Sequence, residues 1–265
     1  MTNVVITGST KGIGFGLAKE FARRGHNVAI TGRTQQAVDE AIYKIGRVAG
    51  KIIGRPCDTS RADDVQALWD AAAATFGSVD IWINNAGLAR TTHDIVDFSE
   101  EDITAMLHTN VLGTIHGCQT AVRGMTKQGA GKIFNVLGGG SDGEYFKGMG
   151  IYGTTKRGLD YLTNALVKEL KGSPIIVGKI RPGMIVTEGL IREAREDPEN
   201  FNKQRRLLNI LSDRIETVAP YLVENVLACN TSGSKIKWLS GMRITTKFLL
   251  SSFKQPADKF AEFGI

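Results

Sequence analysis

Tyr152-Gly153-Thr154-Thr155-Lys156 sets a phenol and an ammonium four residues apart, which on a helix is about one turn along the same face. A free tyrosine ionises near ~10, and a neighbouring cation favours the phenolate, so the pair is suited to moving a proton near neutral pH. As a donor, Tyr152 would serve an oxygen on which negative charge develops, as on a carbonyl whose carbon is being reduced. A second candidate lies near the N-terminus, in Thr7-Gly8-Ser9-Thr10-Lys11-Gly12-Ile13-Gly14. Gly8 permits a tight turn, Gly12 lets backbone N–H groups approach a pyrophosphate, and Gly14 lets the following helix pack closely on the preceding strand. Taken alone, such a cluster is also what a purely structural glycine turn looks like. Its position between a strand and a helix is what favours a dinucleotide.

The elements that must bring these groups together follow from the hydrophobic pattern. Short apolar strands near 3–7, 27–32, 51–57, 79–84, 131–137, 173–180 and 235–240 alternate with amphipathic helical stretches. The helices fall near 13–24, 35–48, 61–76, 99–127, 150–171, 189–210 and 214–228. This spacing demands parallel βαβ units and predicts an α/β fold, a single doubly wound Rossmann-like domain with a mostly parallel seven-stranded sheet in the order 3-2-1-4-5-6-7. Ligands then collect at the carboxyl ends of the strands. Pro56 removes a ladder donor and fits the third strand at a sheet edge. The 265 residues are read as one domain, with a substrate lid over about 188–211 and a tail over about 241–265.

Composition narrows the class. With 42% hydrophobic and 23% charged residues and only 6 Pro, the chain reads as a soluble globular protein. Cys57, Cys118 and Cys229 are far apart and form no metal-ligand spacing, so a reducing compartment and no structural metal are expected. The first strand begins at Asn3 and no apolar run approaches the ~20 residues of a membrane span, which predicts a cytoplasmic location. A net charge of +6 is scattered rather than gathered in a nucleic-acid motif, so no nucleic-acid partner is expected. Strand two ends Ile30-Thr31-Gly32-Arg33-Thr34 without the acid that an NAD site offers to the ribose hydroxyls. Arg33 and Lys11 suit a 2′-phosphate, which makes NADP(H) the expected cofactor; the alternative is that both are solvated surface charges.

The pattern T-G-x-x-x-G-x-G resembles the compact form of the short-chain dehydrogenase/reductase family, and further landmarks follow in order. Asp58 ends strand three, where the resemblance implies an aspartate contacting adenine; an ordinary turn residue is the other reading. Asn84-Asn85-Ala86-Gly87 is similar to the N-N-A-G that steadies the sheet and lines the cofactor cleft. Pro182-Gly183-Met184-Ile185-Val186-Thr187 is similar to the turn that holds the nicotinamide carboxamide. The resemblance implies that Tyr152 is the proton donor, that Lys156 tunes it and holds the nicotinamide ribose, and that Asn110 kinks helix four and supports a proton-relaying water. It also implies a serine after strand five, 12 or 13 residues before the tyrosine, that hydrogen-bonds the substrate oxygen. Here Gly138-Gly139-Gly140 stands in that region and the first hydroxyl is Ser141, 11 residues before Tyr152. Either the glycines let Ser141 reach the same place, or Ser141 caps a turn with Asp142-Gly143 and backbone N–H groups polarise the substrate. Homodimers or homotetramers built on helices four and five are implied as well.

A narrower resemblance, to the plant chlorophyll(ide) b reductases, is carried by Asp80–Gly87, Ile133–Asn135 with Gly140–Gly143, Tyr152–Arg157, Tyr221–Val223 and Trp238–Arg243 through Thr246-Lys247. It implies NADPH-dependent reduction of the C7 formyl of chlorophyll(ide) b to hydroxymethyl, a step of chlorophyll catabolism. Residues 242–254 interleave Arg243, Lys247 and Lys254 with Ile244, Phe248, Leu249, Leu250 and Phe253. That stretch would touch an anionic membrane, cover a large apolar ring, or pack on its own domain or a neighbouring subunit. Two other readings stand beside this one: a generic carbonyl or 3-oxoacyl reductase, and a catalytically silent NADP(H)-binding regulator.

Overall fold

Residues 1–265 are described by a computed structural model in which the expected strands form one all-parallel sheet in the order β3-β2-β1-β4-β5-β6-β7. They are β1 (Asn3–Ile6), β2 (Asn27–Gly32), β3 (Ile52–Pro56), β4 (Ile81–Asn84), β5 (Gly131–Val136), β6 (Ile175–Arg181) and β7 (Lys235–Lys237). The central strands β1, β2 and β4 are buried along their whole length, as parallel strands covered on both faces must be. Side chains alternate between two cores. Val4 and Ile6 face α1 (Gly12–Arg23) and α9 (Ile215–Ala228), while Val5 faces α3 (Ala62–Phe76) and α5 (Gly113–Gln128). Pro56 pairs with Gly32 on the edge strand, where its missing N–H leaves no gap in a central ladder.

A buried polar chain fixes the helix that carries Tyr152. From β4, Asn84 donates to Asn135 of β5 (2.8 Å), and Asn135 donates to Thr163 (2.9 Å) of α6 (Gly150–Glu169). All three are buried, so any slip of α6 along the sheet would orphan amide groups at a cost of ~1–3 kcal/mol each.

Three expected elements differ. The stretch 99–127 is not one uniform helix: α4 (Glu100–Met106) passes into a π-helical segment, Leu107–Leu112, before α5 resumes. The stretch 189–210 breaks into α7 (Glu188–Glu196) and α8 (Pro198–Leu211), because Pro198 has no N–H to continue α7 and instead opens α8, capped by Asp197. The tail folds into α10 (Gly241–Phe253), capped by Ser240. Its basic residues are spent inside the domain: Arg243 lies 3.7 Å over the Trp238 ring and 4.7 Å over Tyr221, and Lys247 pairs with Asp213 at 2.7 Å. Met242, Leu249, Leu250 and Phe253 remain exposed. No helix is long and apolar enough to cross a membrane.

Candidate active site

The carboxyl ends of β1, β4 and β5 converge on one cleft, and the glycine turn after β1 forms one wall. Gly8 and Gly12 adopt φ of 61° and 56°, the left-handed region that glycine occupies without strain. A Cβ on Gly8 would lie 2.7 Å from the Ala86 backbone, and one on Gly14 would lie 2.3 Å from the Asn85 amide. Asn85 donates to the carbonyls of Thr7 (3.0 Å) and Gly8 (2.9 Å), so Asn85-Ala86-Gly87 clamps the turn from the side of β4. No side chain caps the N-terminus of α1, where Lys11 is the N-cap residue, so the N–H groups of its first turn, those of Ile13 and Gly14 among them, are left for an anion. Thr10 packs against Gly32, bringing exposed Lys11 toward the end of β2, where Arg33 is exposed too. The cradle fits a dinucleotide pyrophosphate.

Two expected cofactor residues have other duties. Ser9 is fully buried, its hydroxyl donating to Ile6 (2.7 Å) and accepting from the Thr31 N–H (3.0 Å), with its own N–H given to Thr31. It ties β1 to β2 and has no polar hydrogen left for a phosphate. Asp58 accepts from the Ser60 N–H (3.0 Å) and hydroxyl (2.7 Å), the turn-forming role that competed with adenine contact in the sequence reading. On the opposite wall, Pro182 is buried, Gly183 has φ 80°, and Ile185 bridges to Asp213. Thr187 caps α7 by accepting from Leu190 and lies within 3.5 Å of where a Cβ on Gly12 would be, so α7 starts over the glycine turn.

At the chemical end, Lys156 is 4% exposed and its Nζ donates to the Val136 carbonyl at 3.0 Å, leaving two N–H groups free. That Nζ lies 5.7 Å from the centre of the Tyr152 ring. It and Asn110 Oδ1 approach the same point above Gly87, each 3.5 Å from where a Cβ there would stand. Asn110 occupies the π segment, as a helix irregularity at this residue would require, but its side chain is engaged. Both amide protons go to Leu88 O (2.9 Å) and Thr155 Oγ1 (3.0 Å), and Oδ1 accepts from the Leu88 N–H (2.7 Å). Its visible work is to fasten the 86–88 segment to α6.

Burial governs both members of the Tyr152–Lys156 pair. Burial and the Glu193 carboxylate push the phenol above its ordinary value, while burial brings the Lys156 ammonium down to about 8. The phenol is thus protonated at neutral pH, and the lysine loses its charge as pH rises through about 8.

The loop after β5 departs from the expected serine in a way only the structure explains. A Cβ on Gly138 would lie 2.2 Å from Tyr152 Oη, so the phenol occupies the space a side chain would need. Ser141 is fully buried, its Oγ has no hydrogen-bond partner, and it makes no bond to Tyr152. Its N–H turns back to Gly138 and its carbonyl accepts from Arg157. Asp142, read as a turn former, anchors the loop instead. It pairs with Arg181 at 2.8 Å, with Lys237 at 3.0 Å and with Lys235. Burial alone would raise its carboxyl, but hydrogen bonds from Lys235 and Lys237 and the charge of Arg181 hold it far below the usual range. The basic residues of β7 that enrich the C-terminal region are the sequence trace of this anchor. Two charged residues of the lid turn away from solvent: Glu193 accepts from Thr91 Oγ1 at 2.6 Å, and Arg192 donates to Ala89 O at 3.2 Å, closing α7 on the loop after β4.

Comparison with known proteins agrees with this geometry. The chain is 36% identical to the chloroplastic chlorophyll(ide) b reductase NOL of Arabidopsis thaliana over 255 residues, covering 92% of this chain and 72% of that protein. It is 32% identical to carbonyl reductase family member 4 of Danio rerio, covering 72% of this chain and 79% of that one. The crystal structure of 3-ketoacyl-(acyl-carrier-protein) reductase from Brucella melitensis, complexed with NADH, superposes with a TM-score of 0.78 at 25% identity, covering 91% and 98% of the two chains. The family model for short chain dehydrogenases matches residues 2–198. That span runs through every strand but the last, and the chain belongs to the short-chain dehydrogenase/reductase family of enzymes acting between C=O and CH–OH.

Proposed function

We propose that this enzyme uses NADPH to reduce a carbonyl, and that its substrate is the C7 formyl group of chlorophyll(ide) b. The observation that carries the reductive reading is the placement of the Tyr152 hydroxyl against Gly138 after β5, with Lys156 Nζ 5.7 Å from the centre of its ring, in a cleft whose other wall is the glycine cradle. Similarity to a chlorophyll(ide) b reductase across 92% of the chain supports the substrate. NADPH, when bound, supplies the hydride. The Gly8–Gly14 turn would hold its pyrophosphate, and Lys156 its nicotinamide ribose through the two free N–H groups. Pro182–Thr187 would hold the carboxamide. Tyr152 gives its proton to the developing alkoxide, and the Lys156 charge favours the phenolate left behind.

The test is purified protein with NADPH and chlorophyllide b, followed by pigment chromatography, beside a panel of small aldehydes and ketones. A 7-hydroxymethyl product is expected. Turnover of the small carbonyls with no pigment product would leave a generic carbonyl reductase.

The choice of NADPH rests on Arg33 and Lys11 at an acid-free end of β2. Charge-assisted bonds from Arg33 are worth ~1.5–3 kcal/mol, so Arg33→Asp should weaken NADPH binding by about 10- to 100-fold and leave NADH binding nearly unchanged. Fluorescence titration of both cofactors reads this directly, and equal losses would remove Arg33 from phosphate recognition. Assembly as a homo-oligomer fits α6, whose outer face carries exposed Tyr161 beside a cavity of about 720 Å³ lined by Tyr145, Phe146 and Arg157. Peripheral membrane contact, in this reading, uses the exposed apolar side of α10.

A further inference from the structure

The turn Pro182–Thr187 begins where β6 ends, at Arg181, so the sheet no longer fixes it. Beyond that point it is held by Asp213, in the three-residue link 212–214 between α8 and α9. The Asp213 N–H donates to the Met184 carbonyl at 2.9 Å, and the Val186 N–H donates to the Asp213 carbonyl at 3.0 Å. Thr187, at the end of the turn, lies 3.5 Å from where a Cβ on Gly12 would be, so the turn faces the glycine cradle. The Asp213 side chain, in contrast, is gripped by the C-terminal tail. Trp238 Nε1 donates to its Oδ2 at 2.6 Å and Lys247 Nζ to its Oδ1 at 2.7 Å, so both carboxylate oxygens are taken. With 21% of the Lys247 side chain and 15% of the Asp213 side chain exposed, water screens this ion pair less than one on the open surface. Arg243 stacks on the Trp238 ring, and Leu239 packs on the turn itself, 2.8 Å from where a Cβ on Gly183 would stand.

We propose, on the reading that Pro182–Thr187 holds the nicotinamide carboxamide, that Asp213 is a positioning residue for the nicotinamide end of the cofactor and that the tail acts through it. Trp238 and Lys247 fix the carboxylate, the carboxylate fixes the link, and the link fixes the turn. A backbone that must meet a planar amide has to stand within ~0.5 Å of the productive geometry, and two bonds to a link that is itself free to shift do not supply that. Without the carboxylate, the Trp238 N–H and the Lys247 ammonium lose an acceptor and the link loses its anchor. The Gly8–Gly14 turn is set instead by Asn85 and by the pairing of β1 with β2, so the phosphates and the adenosine should bind as before.

The test compares wild type, D213A and D213N with the tail variants W238F and K247M. Calorimetric titration is made with NADPH and with 2′-phospho-ADP-ribose, the same molecule without the nicotinamide. D213A should weaken NADPH binding by about tenfold and leave the nicotinamide-free analogue within about twofold of wild type. D213N keeps an acceptor for Trp238 and should lie between. W238F and K247M each remove one partner and leave the link's backbone intact, so they carry the test if D213A does not fold. Each should show a smaller loss of the same kind, and neither should add to D213A, because both act through the carboxylate. Amide exchange at Val186 in the cofactor-free protein should quicken in the same order. Equal losses for the two ligands, or wild-type NADPH affinity and wild-type exchange at Val186 in the variants, overturn the role of Asp213. Wild type that binds NADPH no more tightly than the analogue overturns the assignment of the turn, and the positioning role with it.

Discussion

Tyr152→Phe should reduce kcat/KM for carbonyl reduction by ~10²–10⁴-fold, the usual contribution of a positioned general acid. The change removes one oxygen and leaves the ring on α6, so the buried Asn84–Asn135–Thr163 chain that sets the helix is untouched. Lys156 keeps its bond to Val136 and Asn110 keeps Leu88, so the cofactor side of the cleft loses at most one hydrogen bond. NADPH binding should then weaken by no more than ~1 kcal/mol, about fivefold. Steady-state kinetics together with cofactor titration separate the two effects. Turnover within a few-fold of wild type would take the phenol out of the chemistry and leave the protein an NADPH-binding member of the family whose task lies elsewhere.

What the sequence made legible was local. The glycine turn, Asn84–Gly87 and the Tyr152–Lys156 spacing each lie within a few residues, and the alternation of strand and helix fixes the sheet order through the right-handed crossover rule. What it hid depends on distant partners. Asp142 read as a turn residue because Arg181, Lys235 and Lys237 lie 39, 93 and 95 residues away. Glu193 was lost among neighbours of like polarity. A helix face crowded with charge gives no sign of which carboxylate turns inward until Thr91, 102 residues earlier, is placed beside it. For Ser9 and Asn110 the residue type suits ligand contact, while the hydrogen bonds their side chains make to Ile6, Thr31, Leu88 and Thr155 are visible only in the fold. The π segment around Asn110 accompanies that fastening, whose partners Leu88 and Thr155 lie 22 and 45 residues away.

The displaced serine gives the second large prediction, and it runs against intuition. Putting a side chain back into the loop should damage the enzyme at Gly138 and spare it at Gly139. A methyl on Gly138 would sit 2.2 Å from Tyr152 Oη, so the phenol or the loop must give way by about 1 Å, and a misplacement of that size at a reacting group costs about 10²-fold. The loop is poorly able to yield, because Asp142 is pinned by three cations of β6 and β7. At Gly139 the nearest atom is the Met149 methyl at 2.7 Å, the far end of a flexible side chain that can swing aside. Gly140 is closed for another reason, since its φ of 83° and the Gly153 backbone 2.6 Å from a would-be Cβ both exclude a side chain. Gly138→Ala should therefore lose about 10²-fold in kcat while NADPH affinity is kept, and Gly139→Ala should stay within a few-fold of wild type. Thermal melts of both variants check that the loss at 138 is not unfolding. Equal activity of the two would mean that the phenol does not rest against Gly138 when it works.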